Sequence, residues 1–451
     1  MPIHRLKKRR KIVLHSNFQP SLFYNWDFFL NLPTNRKLHE LFKSLDLSLF
    51  NDRNYGHGQT GYSRHAMIRA LIVKNVARLR SIPALIEYLK DNPFISDLCG
   101  FDNYRIPDDT QFYRLIHSLN TDRLADLLAQ IGNEIYDLSR SSVQSITVDS
   151  KSVLAPTRQN NPKHHNRNLT NKHKKPKRNP EATLGYYATH VAHTGERITD
   201  LRWGYRTHSI IDNALGITLV ELTAPINLPD NKIAKLLFKE LEKRYDLAQL
   251  RNIFGDKAYD DKKLKTLIKE LVKTHLNNPD DLAILFGKNI RNSKGADSLS
   301  HGIPCPAGIS MKFNALLPSN KDGSNFRMKF RCPFALSRSY DSCPYAHPAL
   351  VSGNHYGCIK YIPISGDQAK IIRALIDERK IRRSKPGRIR VKIERYFSRL
   401  QAITSEDAPY YSKRSVRNHI SLAHITLSLV ALTALKLGKP GKINAYLKFA
   451  A

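Results

Sequence analysis

Apolar positions recur at helical spacing through the early part of the chain. After Ser63, residues Ile68, Leu71, Ile72, Val76 and Leu79 fall on or near one face, which predicts a helix that Ser63 begins. Ser81 and Pro83 mark a stop and restart before Leu85, Ile86 and Leu89, and Asn92-Pro93 punctuates again. Pro107-Asp108-Asp109-Thr110 starts a further helix through Phe112, Leu115 and Ile116. Upstream, a basic run from Arg5 to Lys11 leads through an aromatic-rich stretch, Phe18 to Phe29, into a helix expected over Asn35 to Leu45. Several short helices in a row fit either a helix-turn-helix that reads DNA or a plain helical packing domain.

The period changes after residue 140. Val143-Gln-Ser-Ile-Thr-Val-Asp149 is a β-branched run that ends on an acid. Tyr186 to His193 and Arg197 to Trp203 alternate like a hairpin turning at Thr194-Gly195, and Gly204 to Asp212 with Ile217 to Thr223 make a second pair. A helix follows from about Asp230 to Tyr245, with Ile233, Leu236, Leu237 and Leu241 expected on its buried face. Arg251-Asn-Ile-Phe-Gly-Asp256 is another short strand that ends on an acid, with Gly255 permitting a tight turn or close approach, and a helix from about Asp260 to Val272 closes the unit. Pro, Gly, Ser and four cysteines then interrupt the pattern. Helical spacing returns at Asp367 to Ile376 and in Arg388 to Leu400, where Ile393, Tyr396, Phe397 and Leu400 form a stripe at i, i+3, i+4 and i+7. A last apolar helix is expected from Asn418 to Leu437; its His424, Thr426, Ser428 and Thr433 favour a buried helix over a membrane span.

These elements describe a mixed α/β (α+β) protein. A basic arm and lead-in cover residues 1–60, and a helical, DNA-binding domain is expected over 61–140. A first part of the α/β core spans 141–274, an irregular Cys-containing insertion 275–365, a second part of the core 366–440 and a tail 441–451.

Charge narrows the function. The 451 residues carry 73 Lys and Arg against 39 Asp and Glu, a net charge of +34, and such self-repulsion makes a polyanionic partner the economical explanation. The positive charge is spread over the whole length, which favours nucleic acid over a membrane surface. The segment Lys151 to Arg178 holds nine Lys or Arg, three His and no acid, so it reads as a solvated or phosphate-binding loop beside Asp149. No Gly-x-x-x-x-Gly-Lys-Ser/Thr pattern occurs, so no nucleotide cofactor is expected. Without a secretion-like opening, the five cysteines point to a reducing, cytoplasmic setting.

Asp149, Asp256 and Glu394 stand out among the acids. Two close strands, where an α/β sheet leaves an open crevice, and the third lies in a basic helix. Glu394 has two readings, an i,i+4 ion pair with Arg390 or a ligand for a metal that faces a polyanion. Three carboxylates can hold two Mg²⁺ (or Mn²⁺) ions for phosphoryl transfer on nucleic acid. Lys151, Lys257 and Tyr259 are placed to reach phosphate. His190, His193 and His208, on expected strands, read as core or rim residues.

Thr147-Val-Asp149-Ser, Gly204-Tyr-Arg-Thr-His208, Phe254-Gly-Asp256-Lys-Ala-Tyr259 and Arg390-Val-Lys-Ile-Glu394-Arg-Tyr-Phe-Ser-Arg, taken in that order, resemble a DDE transposase of a bacterial insertion sequence. Leu98-Cys-Gly-Phe101 and the Pro107 to Phe112 segment are similar to the N-terminal domain of such proteins. The resemblance implies a ribonuclease-H-like mixed sheet flanked by helices, with Asp149, Asp256 and Glu394 as catalytic, metal-binding acids. It implies cleavage at transposon ends and strand transfer into target double-stranded DNA, by a homodimer in the bacterial cytoplasm, at the nucleoid. Arg390 matches the Arg that such enzymes place before the Glu, Arg206 lies in the matching strand, and both are expected to contact DNA. Gly387 and Gln401 stand where a Tyr and a Lys are expected, leaving Arg399 or Lys413 to take the Lys role on phosphate. The alternatives are a ribonuclease-H-like nuclease that does not join ends and a non-catalytic DNA-binding derivative.

Cys305, Cys332, Cys343 and Cys358 crowd between the second Asp and the Glu, three of them in Cys-Pro pairs. Four thiolates suit tetrahedral Zn²⁺, although no Cys-x-x-Cys pair is present; free structural thiols are the other reading. His347 and His355 are substitute ligands on the first reading.

Overall fold

The computed structural model describes residues 26–52, 61–101, 105–160, 171–191, 197–276, 282–286, 302–319, 325–351, 355–366, 369, 372–373, 376, 391–404 and 408–445, without the side chains of 188–199, 349, 351 and 391. The chain divides into two compact units, one of residues 1–286 with 390–451 and one of residues 287–389.

The first unit opens with helices α1 (Trp26–Asn31), α2 (Pro33–Lys43), α3 (Arg64–Val76), α4 (Ile82–Asp91), α5 (Pro93–Cys99), α6 (Asp109–Ser118) and α7 (Thr121–Ser139). Their starts follow the capping residues. Ser63, Ser81, Asp108 and Asn120 each accept a backbone N–H of the first turn. Gly100, at φ +98, ends α5 in the left-handed conformation. Helical order continues past Leu119 in α7, whose Leu124, Leu127, Leu128, Ile131 and Ile135 face the core.

The sheet is built from β1 (Ser145–Leu154), β2 (Thr183–Val191), β3 (Arg197–Asp212), β4 (Thr218–Pro225), β5 (Asn252–Gly255) and β6 (Ala283–Phe286). Its order is β2-β3-β1-β5-β6, with β4 also paired to β3. The β1–β3, β2–β3 and β3–β4 pairs are antiparallel, whereas β1–β5 and β5–β6 are parallel. Helices α8 (Asp230–Arg244) and α9 (Lys262–Lys273) connect the later strands. The expected split at Gly204 is absent. Residues 197–212 form one strand, because β1 and β4 pair along the half that follows Gly204 and carry the extended backbone through it. Leu236 is 48% exposed, since Ile233, Leu237 and Leu241 define the buried face of α8 and Leu236 lies off it.

Helices α12 (Val391–Thr404) and α13 (Lys413–Lys436) complete this unit; the numbers α10 and α11 belong to short helices of the other unit, Pro333–Ser337 and Pro348–Val351. Ser412 caps α13 and starts it earlier than the apolar tract alone suggests. By length and composition α13 could cross a membrane, but its most apolar stretch is 94% buried inside the fold, packed against α3, α6, α7 and β4. One continuous core runs from Leu38 to Ala434.

The second unit has strands β7 (Ile303–Pro304), β8 (Ser310–Pro318), β9 (Asn325–Arg331) and β10 (Ile359–Ser365), in antiparallel order β10-β9-β8-β7. The segment expected to be irregular therefore contains a sheet. Phe326, Met328 and Phe330 alternate inward along β9, and with Met311, Ile364 and Ile372 they form a separate small core. The unit boundaries also differ from the expected 275–365. β6 adds residues 283–286 to the first sheet, and Ala369 and Ile372 pack in the second core.

Candidate active site

Parallel pairing of β1 and β5 sets Thr147 beside Phe254 and Val148 beside Gly255. Asp149 and Asp256 are the next residues on the two chains, so the register brings them side by side. Both are half-buried. Asp149 does not end its strand. β1 continues to Leu154 because the long β3 pairs with it as far as Gly204, so the acid lies mid-strand where only its parallel neighbour β5 stops. Asp256 follows the last residue of β5, and its Oδ1 accepts the Lys257 N–H at 2.7 Å. A side chain at position 255 would stand 2.8 Å from the Phe286 ring and 3.1 Å from Val148, so glycine lets β5 pack tightly between β1 and β6.

Helix α12 presents Glu394 to solvent from a rigid mount. Ile393, Tyr396, Phe397 and Leu400 are all buried, as their spacing predicts, and each contributes ~1.5–3 kcal/mol of apolar burial. The Tyr396 hydroxyl meets His424 Nδ1 of α13 at 2.6 Å, and the two rings stack. Burial lowers His424 to about 3, so the ring is neutral. Lys392 donates to the Asn213 carbonyl at 2.5 Å, while Thr147 donates its hydroxyl to Asn213 Oδ1 at 2.7 Å, which ties α12 to β1 two residues before Asp149. Arg390 and Gly387 lie outside the described residues. Among the described residues no group of three or more His, Cys, Asp or Glu stands in a metal-holding arrangement. Asp149 and Asp256 are thus brought together, and Glu394 shares their unit without converging on them.

Beside Arg206, His208 and Tyr259 of the quoted motifs stands Asp230, which motif reading did not single out. Asp230, in the first turn of α8, pairs with Arg206 at 3.0 Å and faces His208 Nδ1 at 3.8 Å. Arg206 also donates to the Tyr186 carbonyl at 2.7 Å, so its guanidinium is engaged within the protein. Burial pushes His208 down to about 4, against the pull of Asp230. Tyr259 is fully buried, and burial together with the charges of Asp149 and Asp230 holds its phenol well above the usual range. In sequence Asp230 reads only as an acid at a helix start, and its partners Arg206 and His208 come from β3.

The remaining basic candidates differ in exposure. Lys257 is exposed beside Asp256, and Lys151 is half-buried on β1 opposite Thr207. Arg399 donates to Asn444 Oδ1 and the Gly216 carbonyl, at 2.5 and 2.9 Å, and covers the Tyr396 ring. Within the basic segment, Lys172, Lys174, Lys175, Lys177 and Arg178 are exposed, while Asn179 anchors the loop by accepting from Tyr205 Oη at 2.6 Å and donating to the Tyr410 carbonyl at 3.3 Å. Residues 161–170 lie outside the described part. In the second unit Cys305, Cys332, Cys343 and Cys358 line one cavity, shared with His347. His355 instead stacks on Tyr340 and contacts the Leu350 carbonyl through Nδ1.

Residues 27–118, which include α1 to α6, match the family model described as Transposase domain (DUF772). That match covers 92 of the 451 residues. The match supports the transposase reading and includes none of Asp149, Asp256 or Glu394. A cryo-EM structure of a piggyBac transposase synaptic complex with hairpin DNA is similar at 11% identity and a TM-score of 0.37, over 94% of this chain and 77% of that one. A likeness that distant carries no information about residues or chemistry. No curated protein matches the chain.

Proposed function

We propose that the chain is a DDE-type DNA transposase with a ribonuclease-H-like core, which cuts at transposon ends and joins them to target double-stranded DNA. The observation that carries this reading is the β1–β5 register, which sets Asp149 and Asp256 side by side at the point where β5 ends. Their carboxylate oxygens suit a hard cation such as Mg²⁺ or Mn²⁺, and Glu394, which α12 holds exposed in the same unit, would complete the ligand set by moving toward them. A pair of ions bound there would supply activation of water or a 3′-hydroxyl and stabilise the leaving oxygen. The Asp230–Arg206 pair and buried Tyr259 brace the sheet behind the acids, and the α12–α13 contact through Tyr396 and His424 holds the mount of Glu394. The exposed cations at 172–178, with Lys257, bind the phosphate backbone. Two ends cut and joined together call for a homodimer on DNA, working in the bacterial cytoplasm.

Incubating the full chain with DNA bearing the element's ends, a target duplex and Mg²⁺ tests the reading. Joined product that disappears with chelator is expected. Binding without cleavage, or cleavage with unjoined ends, would replace this reading with a non-catalytic DNA binder or a nuclease.

A further inference from the structure

We propose that residues 287–389 hold one structural zinc ion through Cys305, Cys332, Cys343 and Cys358. This inference is independent of the chemistry assigned to the acids. All four thiols line the same cavity, together with apolar Ile309 and Phe334 and with Tyr345 and His347. All five cysteines of the chain are free thiols, so no disulfide accounts for the cluster.

The backbone is shaped around these residues in a repeated way. In Cys305-Pro-Ala-Gly308 the Gly308 N–H donates to the Cys305 carbonyl at 2.9 Å, and in Cys343-Pro-Tyr-Ala346 the Ala346 N–H donates to the Cys343 carbonyl at 3.0 Å. Both turns finish at positive φ, +74 at Gly308 and +39 at Ala346. An alanine is held in that region only where its surroundings over-determine it. The other two cysteines are coupled directly, since the Cys332 N–H donates to the Cys358 carbonyl at 2.9 Å. Gly357, at φ +64, allows this approach, because a Cβ there would lie 2.7 Å from Cys332 Cβ and 3.3 Å from its Sγ. Two Cys-Pro turns and one Cys pair joined by a backbone hydrogen bond thus bring the four cysteines to one cavity.

The core of this unit is small, so a cross-link adds what burial does not supply. No three ligating groups among the described residues stand in a finished metal geometry, so the ion draws the thiols in. Four S–H protons go to solvent as four Zn–S bonds form, which leaves the tetrathiolate centre with two negative charges.

Full-length protein purified without added metal or chelator is expected to contain about one zinc per chain by elemental analysis. Replacement of zinc by Co²⁺ in the unmodified chain is expected to give thiolate-to-cobalt charge-transfer absorption and the strong visible bands of a tetrahedral site. Cys332→Ser and Cys343→Ser are each expected to lose the zinc, whereas Cys99→Ala and His347→Ala retain it. Should the serine variants fail to fold, the cobalt spectrum of the unmodified chain decides. Zinc-free protein with no tetrahedral cobalt spectrum, disulfides among the four residues, or zinc retained in Cys332→Ser would overturn the assignment. Loss of zinc from His347→Ala would overturn the four-thiolate ligand set.

Discussion

The core of the first unit runs through helices and sheet from Leu38 to Ala434, whereas that of the second lies on one face of a four-stranded sheet around Met328 and Phe330. Burial alone can stabilise the first, and its candidate site is a by-product of packing. Asp149 and Asp256 occupy positions that strand register has already fixed, and Glu394 rides on a helix locked by its apolar stripe. In the second unit the order is reversed, with the cysteines supplying cohesion that the core lacks. Polar residues in one unit use a stable scaffold, and in the other they are part of the scaffold.

Metal removal should separate the two most sharply. Chelation, or Cys332→Ser, is expected to make residues 287–389 protease-sensitive while the rest of the chain stays protected, because structural zinc supplies much of the folding free energy of a small unit. Limited proteolysis with mass mapping reads this directly; equal sensitivity in both units would erase the distinction. Truncation in the cores comes next. Leu429→Ala, in fully buried α13, should cost about 2–5 kcal/mol, visible as a lower midpoint for the first unit. Met328→Ala costs a similar amount but from a smaller reserve, so the second unit should unfold in that variant once zinc is removed.

Acid should act through identifiable groups in the first unit. Burial lowers His208 to about 4 and His424 to about 3, and puts His419 well below its ordinary value. The unfolded chain protonates these rings near pH ~6.5 while the folded chain does not. Below that pH the unfolded state binds more protons, so stability falls as pH drops from about 6.5 toward 4, by up to ~1.4 kcal/mol per pH unit for each ring. Unfolding midpoints that stay flat between neutral pH and pH ~5 would count against it. The smallest effect concerns the basic loop. Lys174→Ala with Lys175→Ala should weaken DNA binding about uniformly across sequences and shallow the salt dependence by about one to two units of slope, in titrations over a range of salt.

Much of the first unit could be read from sequence because its signals are periodic or capped. The stripe Ile393, Tyr396, Phe397, Leu400 is buried as spaced, and Ser63, Ser81 and Asp108 start the helices they precede. The extension of β1 beyond Asp149 was hidden because Ser150, Lys151 and Ser152 are polar and half-buried, held in the sheet by pairing with β3. β6 is four residues long, too short for a period to show. The alternation of β9 was present in the sequence but lay among Pro, Gly and Ser that suggested irregular chain. The brace around Asp230 arises only in three dimensions, from residues far apart along the chain.

The central claim is that Asp149 and Asp256 form the metal-binding edge of a transposase site. Joining of end DNA to target should be measured with the unmodified chain, Asp149→Asn, Asp256→Asn and, as a control, Glu270→Gln at an exposed position on α9. Each aspartate change should reduce joined product by more than about a hundredfold while DNA binding persists, since loss of even an outer-shell partner of a metal costs ~10–100-fold. The control should join like the unmodified chain. Full joining by either aspartate variant would contradict the account.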